Sequence, residues 1–211
     1  MLKLLSATPS PFARKVRVVL LEKKIPFELI TVNPWNLTSA IEHVNPLGKI
    51  PVLITENKET IYESSFIIEW LEVNYPAPAL IPSIPAEALH SKKIQVLADG
   101  ICEAFILLFF EQLRAEALQS KPWADRQLKK IENGLNALEQ LIPNNGFCVG
   151  NCFTIADIAV VALADYFSLR FKEYNWQSKF KKMNALVARQ SGRLSFLETR
   201  PSAQNIERNT I

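Results

Sequence analysis

Lys3-Leu4-Leu5-Ser6-Ala7-Thr8-Pro9-Ser10-Pro11-Phe12-Ala13-Arg14-Lys15-Val16 passes from strand to helix through one proline-punctuated loop, and the fold reads outward from that passage. Lys3 to Ser6 is a short apolar run of strand type. Phe12, Val16, Val19 and Leu20 then recur at helical spacing, while Arg14, Lys15, Arg17, Glu22 and Lys23 fill much of the rest. Pro11 suits the first turn of a helix, where its missing N–H costs nothing, and this puts Ser10 near the cap.

Downstream, Phe27 to Val32 reads as a second strand, and Asn33 to Asn45 as a loop with a short helical piece. Lys49 to Ile54 is an apolar run with a proline inside it. Thr60 to Glu63 suits a further strand, with a hairpin turn at Asn57-Lys58. Ser64 or Ser65 then caps a helix through Phe66, Ile67, Trp70, Leu71 and Val73, ending near Tyr75-Pro76. Strand, helix, strand followed by strand, strand, helix is the order of an α/β sandwich.

Pro76, Pro78, Pro82 and Pro85 crowd one short stretch, which ends regular structure and marks a linker. Beyond it the pattern is helical. Ile94, Leu97, Ala98, Ile101, Phe105, Leu108 and Phe109 keep one face, as do Ile131, Leu135, Leu138, Leu141 and Ile142. Ile155 to Phe167 is apolar almost all round and predicts a central buried helix; Phe180 to Val187 predicts a shorter one. The stretch Thr199 to Ile211 is polar and is expected to be loosely held. The expected division is an α/β domain over 1–77 and an all-α domain over 86–211.

Composition narrows the function classes. With 48% hydrophobic residues in 211, the chain has material for a sizeable core. A net charge of +3 without a dense Lys/Arg block is no nucleic-acid footprint. Cys102, Cys148 and Cys152 are too few for a disulfide framework and read as small buried apolar residues. His43 and His90 are the only histidines, and no cluster of metal ligands is visible, so no metal is expected. The apolar start is broken at once by Ser6, Thr8 and Pro9, unlike a signal peptide. Ala104 to Phe110, between Glu103 and Glu111, is far short of the ~20 residues a membrane span needs. A cytoplasmic, reducing location with no membrane partner is the expectation.

Three pieces of the front domain offer chemistry. A proline inside a strand run forfeits a ladder hydrogen bond and belongs at an edge or bulge. If Ile50-Pro51 is cis, Ile50 can turn its backbone outward and pair with an extended peptide; the alternative is a plain edge strand with a trans proline. Ser64 at a helix start offers free N–H groups to an anion, and Glu63 beside it can accept from a cationic amine; alternatively a serine there only caps the helix. Ser10 either caps its helix or donates its O–H to a thiolate, with Arg14 adding positive potential. A two-unit fall from the thiol reference of ~8.5 takes about 2.7 kcal/mol. One hydrogen bond to a charged group supplies roughly 1.5–3 kcal/mol.

The ordered set, Ser10-Pro11-Phe12 with Arg14-Lys15-Val16, then Lys49-Ile50-Pro51-Val52-Leu53, then Glu63-Ser64-Ser65, resembles the cytosolic glutathione transferase family over nearly the whole chain. Phe153-Thr154-Ile155-Ala156-Asp157 looks like that family's buried capping box. The resemblance implies a thioredoxin-like N-terminal domain followed by an all-α helical C-terminal domain, and a homodimer. It implies that Ile50-Pro51 is cis and pairs with the cysteinyl backbone of glutathione, that Lys49 reaches the glycyl carboxylate, and that Glu63 and Ser64 hold the γ-glutamyl head.

Ser10 stands where the family has its thiol-activating hydroxyl or, in omega-like and beta-like members, a cysteine. Serine there, with Ala13 at the second position of a possible cysteine pair, argues against thiol–disulfide exchange, which needs a nucleophilic sulfur. Glutathione itself would then attack a hydrophobic electrophile, with Thr8 a less favoured alternative hydroxyl. Phe12, Phe105, Phe109 and Trp123 are candidate walls for that electrophile or ordinary core residues. The rival readings are a non-catalytic glutathione-binding scaffold or sensor, and a glutathione-dependent isomerase or lyase of one metabolite.

Overall fold

The computed structural model describes residues 1–35 and 40–206. The middle of the expected Asn33–Asn45 loop and the last part of the polar tail lie outside the described residues. Two compact units emerge: one takes in Met1–Leu80 together with the chain from Arg193 on, the other Ile81–Gly192.

The first unit is the thioredoxin-like domain. Its elements are β1 (Leu2–Ser6), α1 (Pro11–Glu22), β2 (Phe27–Thr31), a tight helical turn (Ala40–His43), β3 (Val52–Ile54), β4 (Thr60–Tyr62) and α2 (Ser64–Asn74). The four strands form one mixed sheet in the order β2-β1-β3-β4. β1 pairs with β2 in parallel, Leu2 opposite Phe27 through Ser6 opposite Thr31. It pairs with β3 antiparallel, Leu5 opposite Val52, and β3 pairs with β4 antiparallel, Val52 opposite Tyr62. Helices α1 and α2 pack on each other and on the sheet. Leu4, Val16, Val19, Leu20, Val52, Leu53, Ile67 and Leu71 are removed from solvent there, and that burial is the main favourable term for the unit.

Two expectations need correcting. Of the edge or bulge expected for Pro51, the edge does not hold: β3 is an interior strand, and the proline is tolerated because it stands just before the first paired residue, where no ladder N–H is lost. The polar tail was expected to be loose. Instead, Ser202, Gln204 and Asn205 of it are hydrogen-bonded to this unit, and the short helix α8 (Leu194–Glu198) just before it packs on α1. Five residues carry too little periodicity to announce a helix.

The second unit is all-α: α3 (Pro85–Leu113), a tight turn (Glu116–Leu118), α4 (Lys121–Leu141), α5 (Ile155–Arg170), α6 (Trp176–Lys179) and α7 (Lys181–Gln190). α3 starts well before Ile94, because Pro85 sits in its first turn and good helix formers follow. α5 is buried along most of its length, as its uniform apolarity predicts. No helix among the described residues is long and apolar enough to cross a membrane.

α8 is held by a polar clasp. Arg193 forks onto Glu22, Nε to Oε1 at 2.9 Å and Nη2 to Oε2 at 2.7 Å, and Ser195 Oγ donates to the same carboxylate. Burial raises the Glu22 pKa, but the hydrogen bonds of Arg193 and Ser195 and the Arg193 charge outweigh it, so the group sits below the ordinary carboxylate range. A folded-state value below the unfolded one stabilises the fold above that range and loses the contribution as pH falls through it. Thermal unfolding of the wild type should therefore fall more steeply than that of Glu22→Gln between about pH 6 and pH 3. At neutral pH the variant should be less stable by about 1–2 kcal/mol, since half-exposed pairs are screened. Parallel curves would show that the clasp contributes nothing.

Candidate functional site

The passage from β1 to α1 is a turn closed by Ser10 N–H donating to Ala7 O at 3.1 Å. Ser10 is extended, at φ −68° and ψ 119°, and caps α1, its Oγ accepting from Ala13 N–H at 3.2 Å. An oxygen that accepts in a cap keeps its own proton free to donate elsewhere. The Thr8 hydroxyl is different: its proton goes to Ser202 O at 3.1 Å. Of the two hydroxyls, Ser10 is the one whose proton has no acceptor among the described residues. Arg14, expected to charge this turn, is buried and directs Nε to Thr199 Oγ1 and Nη2 to Phe196 O, each at 3.3 Å. The competing carbonyl and hydroxyl acceptors lie at the end of α8, so its guanidinium serves that helix terminus first.

The segment before β3 is shaped by Asn45, a residue not singled out above. Its buried side chain donates from Nδ2 to Lys49 O at 2.7 Å and accepts Leu47 N–H on Oδ1 at 3.0 Å. Asn-Pro at 45–46 is a turn signal that could have flagged it. Gly48, at φ 61°, closes the same turn by donating to Asn45 O at 2.9 Å. Lys49 is exposed. The Ile50–Pro51 peptide bond is cis, and Ile50 stands outside the ladder that begins at Val52.

After β4 the cap is Glu63, not Ser64 or Ser65. Its Oε2 accepts the N–H groups of Ser65 at 3.0 Å and Phe66 at 3.3 Å. Ser64, buried, donates its hydroxyl to Glu63 Oε1 at 3.1 Å. A long carboxylate can cap here because Glu63 adopts φ 73°, which folds the side chain back over the helix start. That conformation costs a non-glycine residue about 1–3 kcal/mol and tends to occur at functional positions. The Ser64 N–H, in the first turn, has no partner within the helix.

Sheet register brings these three segments together. Leu5, Val52 and Tyr62 lie side by side across β1, β3 and β4. Ser10 follows the end of β1, Ile50 precedes the start of β3 and Ser64 follows the end of β4, so all three leave the sheet at the same edge, the one formed by strand ends rather than by an outer strand. A helix terminus, a free backbone segment and a second helix terminus bordering one edge suit an extended ligand that carries anionic groups.

In the helical unit, Asp157 Oδ2 accepts Thr154 N–H at 2.8 Å and Thr154 Oγ1–H at 2.9 Å, and its Oδ1 accepts Cys148 N–H at 2.9 Å. The capping box at the start of α5 is present as the sequence indicates. Burial pushes the Cys148 thiol up, and the Asp157 charge adds to this, so it is no nucleophile. Cys152, expected to be buried, is exposed. Among the candidate walls, Phe105 is core, its ring 4.3 Å from Phe167 and 4.9 Å from Phe171. Phe109 is half-buried beneath the Arg170 guanidinium at 4.2 Å, Phe12 is half-buried and Trp123 is exposed.

Comparison with known proteins agrees with this architecture. Residues 9–74 match the glutathione S-transferase N-terminal domain model and residues 121–189 the C-terminal domain model. The GST-like protein YibF of Escherichia coli K12 is 37% identical, over 95% of this chain and 98% of its own. A maleylacetoacetate isomerase of Pseudomonas aeruginosa is 29% identical, over 76% of this chain and 78% of its own. A glutathione S-transferase of Methylobacterium radiotolerans, solved with glutathione sulfonate, is 44% identical with a TM-score of 0.95, covering 98% of this chain and 97% of its own.

The Glu63 cap can be separated from its backbone strain. Glu63→Ala removes the cap and keeps the strained conformation, and should destabilise the protein by about 1–2 kcal/mol in urea unfolding. Glu63→Gly also loses the carboxylate but tolerates positive φ, and should be more stable than the alanine variant by about 1 kcal/mol. Equal losses would mean that φ 73° carries no cost.

Proposed function

The chain belongs to the glutathione S-transferase family, and from that premise we propose that it is a glutathione transferase in which Ser10 activates the glutathione thiol for attack on a hydrophobic electrophile. The observation that carries this reading is the uncommitted proton of Ser10 at the start of α1, bordering the same sheet edge as Ile50 and Ser64. The cysteinyl backbone of glutathione adds to Ile50 as an extended strand. Lys49 takes the glycyl carboxylate. Ser64 takes the γ-glutamyl carboxylate on its N–H, and Glu63 accepts from the γ-glutamyl amine. The Ser10 hydroxyl donates to the sulfur and favours its anion. With serine at 10 and alanine at 13, the nucleophile is the substrate's sulfur, which favours conjugation over disulfide exchange.

A homodimer and a cytoplasmic location complete the reading. Exposed apolar residues on helix surfaces, Phe66 and Val73 on α2 and Leu89 and Val96 on α3, support self-association. The likeness to the Pseudomonas isomerase favours a second reading, in which glutathione adds to one unsaturated metabolite, allows bond rotation and departs unchanged. The two differ in product: a stable thioether in the first, free glutathione and an isomer in the second.

Calorimetric titration with glutathione, run beside thiolate absorbance against pH, tests the proposal. Binding with the thiol pKa lowered below ~8.5 is expected. Binding without a shift would turn the reading to a scaffold or sensor, and no binding at millimolar glutathione would end it. Ser10→Ala should lower kcat/KM about 10- to 100-fold, the equivalent of one hydrogen bond to a charged sulfur, with much less effect on glutathione affinity. Equal losses in both would assign Ser10 to binding alone.

A further inference from the structure

The chain after α8 does not merely rest on the first unit; it crosses the ends of two strands. β1 and β2 are parallel, so their carboxyl ends lie side by side, and Val32 N–H donates to Ser6 O at 2.8 Å where they end. Three hydrogen bonds tie the tail there. Thr8 Oγ1 donates to Ser202 O at 3.1 Å, Gln204 Nε2 to Val32 O at 3.0 Å and Asn33 Nδ2 to Asn205 O at 2.9 Å. Upstream, Arg14 holds Phe196 O and Thr199 Oγ1, and Arg17 Nη2 reaches Glu198 O at 3.3 Å. The sequence here is polar, so hydrogen bonds rather than apolar burial set where this segment lies.

We propose that residues 199–206 are a strap that fixes the β1–α1 turn, and with it the direction of the Ser10 hydroxyl, making Thr8 a positioning residue. This rests on the reading of Ser10 as the thiol activator. The turn from Ala7 to Ser10 is closed by one backbone hydrogen bond, and Pro9 has no N–H to add another. The Thr8 side chain supplies the outward tie. A hydrogen bond lengthened past about 3.5 Å or bent below about 120° is largely lost, so displacement of this turn degrades donation to sulfur. Peptide binding at Ile50 and Ser64 is anchored on β3 and β4 and is spared. The strap therefore acts on ionisation of the bound thiol and hardly on glutathione affinity.

Thr8→Val removes the donor and keeps the shape. The thiol pKa of bound glutathione should move toward the free value of ~8.5, with kcat/KM at neutral pH down about 3- to 10-fold and KM for glutathione within about 2-fold. Thr8→Ser keeps the hydroxyl and should match the wild type. A variant ending at Thr199 should shift the thiol pKa at least as far as Thr8→Val. Wild-type thiol ionisation in Thr8→Val would overturn the strap, as would a fall in melting temperature with the thiol pKa unmoved. Failure of the wild type itself to ionise bound glutathione would instead overturn the reading of Ser10, and the strap's effect on catalysis with it.

Discussion

The antiparallel pairing of β1 with β3 and of β3 with β4 is the constraint on which the rest of the first unit depends. Reversal at each step returns the chain to the same edge. The turn before α1, the segment before β3 and the turn before α2 are far apart in sequence, and the ladder alone makes them neighbours. A one-residue slip of β3 would exchange the faces that Val52 and Leu53 occupy and carry Ile50 away from the ends of β1 and β4. Val52 and Leu53 are both fully buried on opposite faces, so a slip would exchange two side chains of different size in a close-packed core, which opposes it. The packing that stabilises the sheet thereby also fixes the geometry of its edge.

Three buried or half-buried charges hold the periphery of this unit, each by being paired. Lys23, at the end of α1, donates to Tyr75 O and Pro78 O, and its ammonium meets Glu72 at 2.7 Å with no exposed side-chain surface. An unpaired ammonium there would be far too costly; two carbonyls and a carboxylate make it tolerable and pin the chain leaving α2. Glu22 on the same helix takes Arg193, and Arg14 takes the end of α8. Along α1 the apolar face thus builds the core while the charged face fastens two later stretches of chain. Charges that look in sequence like a solvated helix surface are largely anchoring points.

This explains what could be read in advance and what could not. The order of strands and helices, the linker and the buried α5 follow from local periodicity and proline placement, which short-range sterics dictate. The cap of α2 was misassigned because serine is the more common cap, and the positive φ of Glu63, which lets a glutamate reach back, leaves no mark in composition. α8 and the strap were invisible for another reason: their partners are remote in sequence, as with Thr8 and Ser202 or Glu22 and Arg193, and a polar stretch has no pattern that names its acceptors. The residues of the candidate site could be singled out from the sequence, but the edge that gathers them is a property of the register.

Ser10 admitted two readings in the sequence, a helix cap or a donor to sulfur, and the structure removes the opposition between them. A cap uses a lone pair of the hydroxyl oxygen, and a thiolate donor uses its proton. Accepting from Ala13 N–H holds the side-chain oxygen at the helix start and leaves its proton available to a second partner. It also strengthens that proton as a donor, because an oxygen that accepts becomes a better donor by polarisation. Thr8 could not do the same: with its proton given to Ser202 O, it has only acceptor capacity left, which would repel an anion. A serine that caps therefore keeps a proton for the chemistry proposed for it, so capping of α1 and the proposed activation of a thiol are compatible in one conformation.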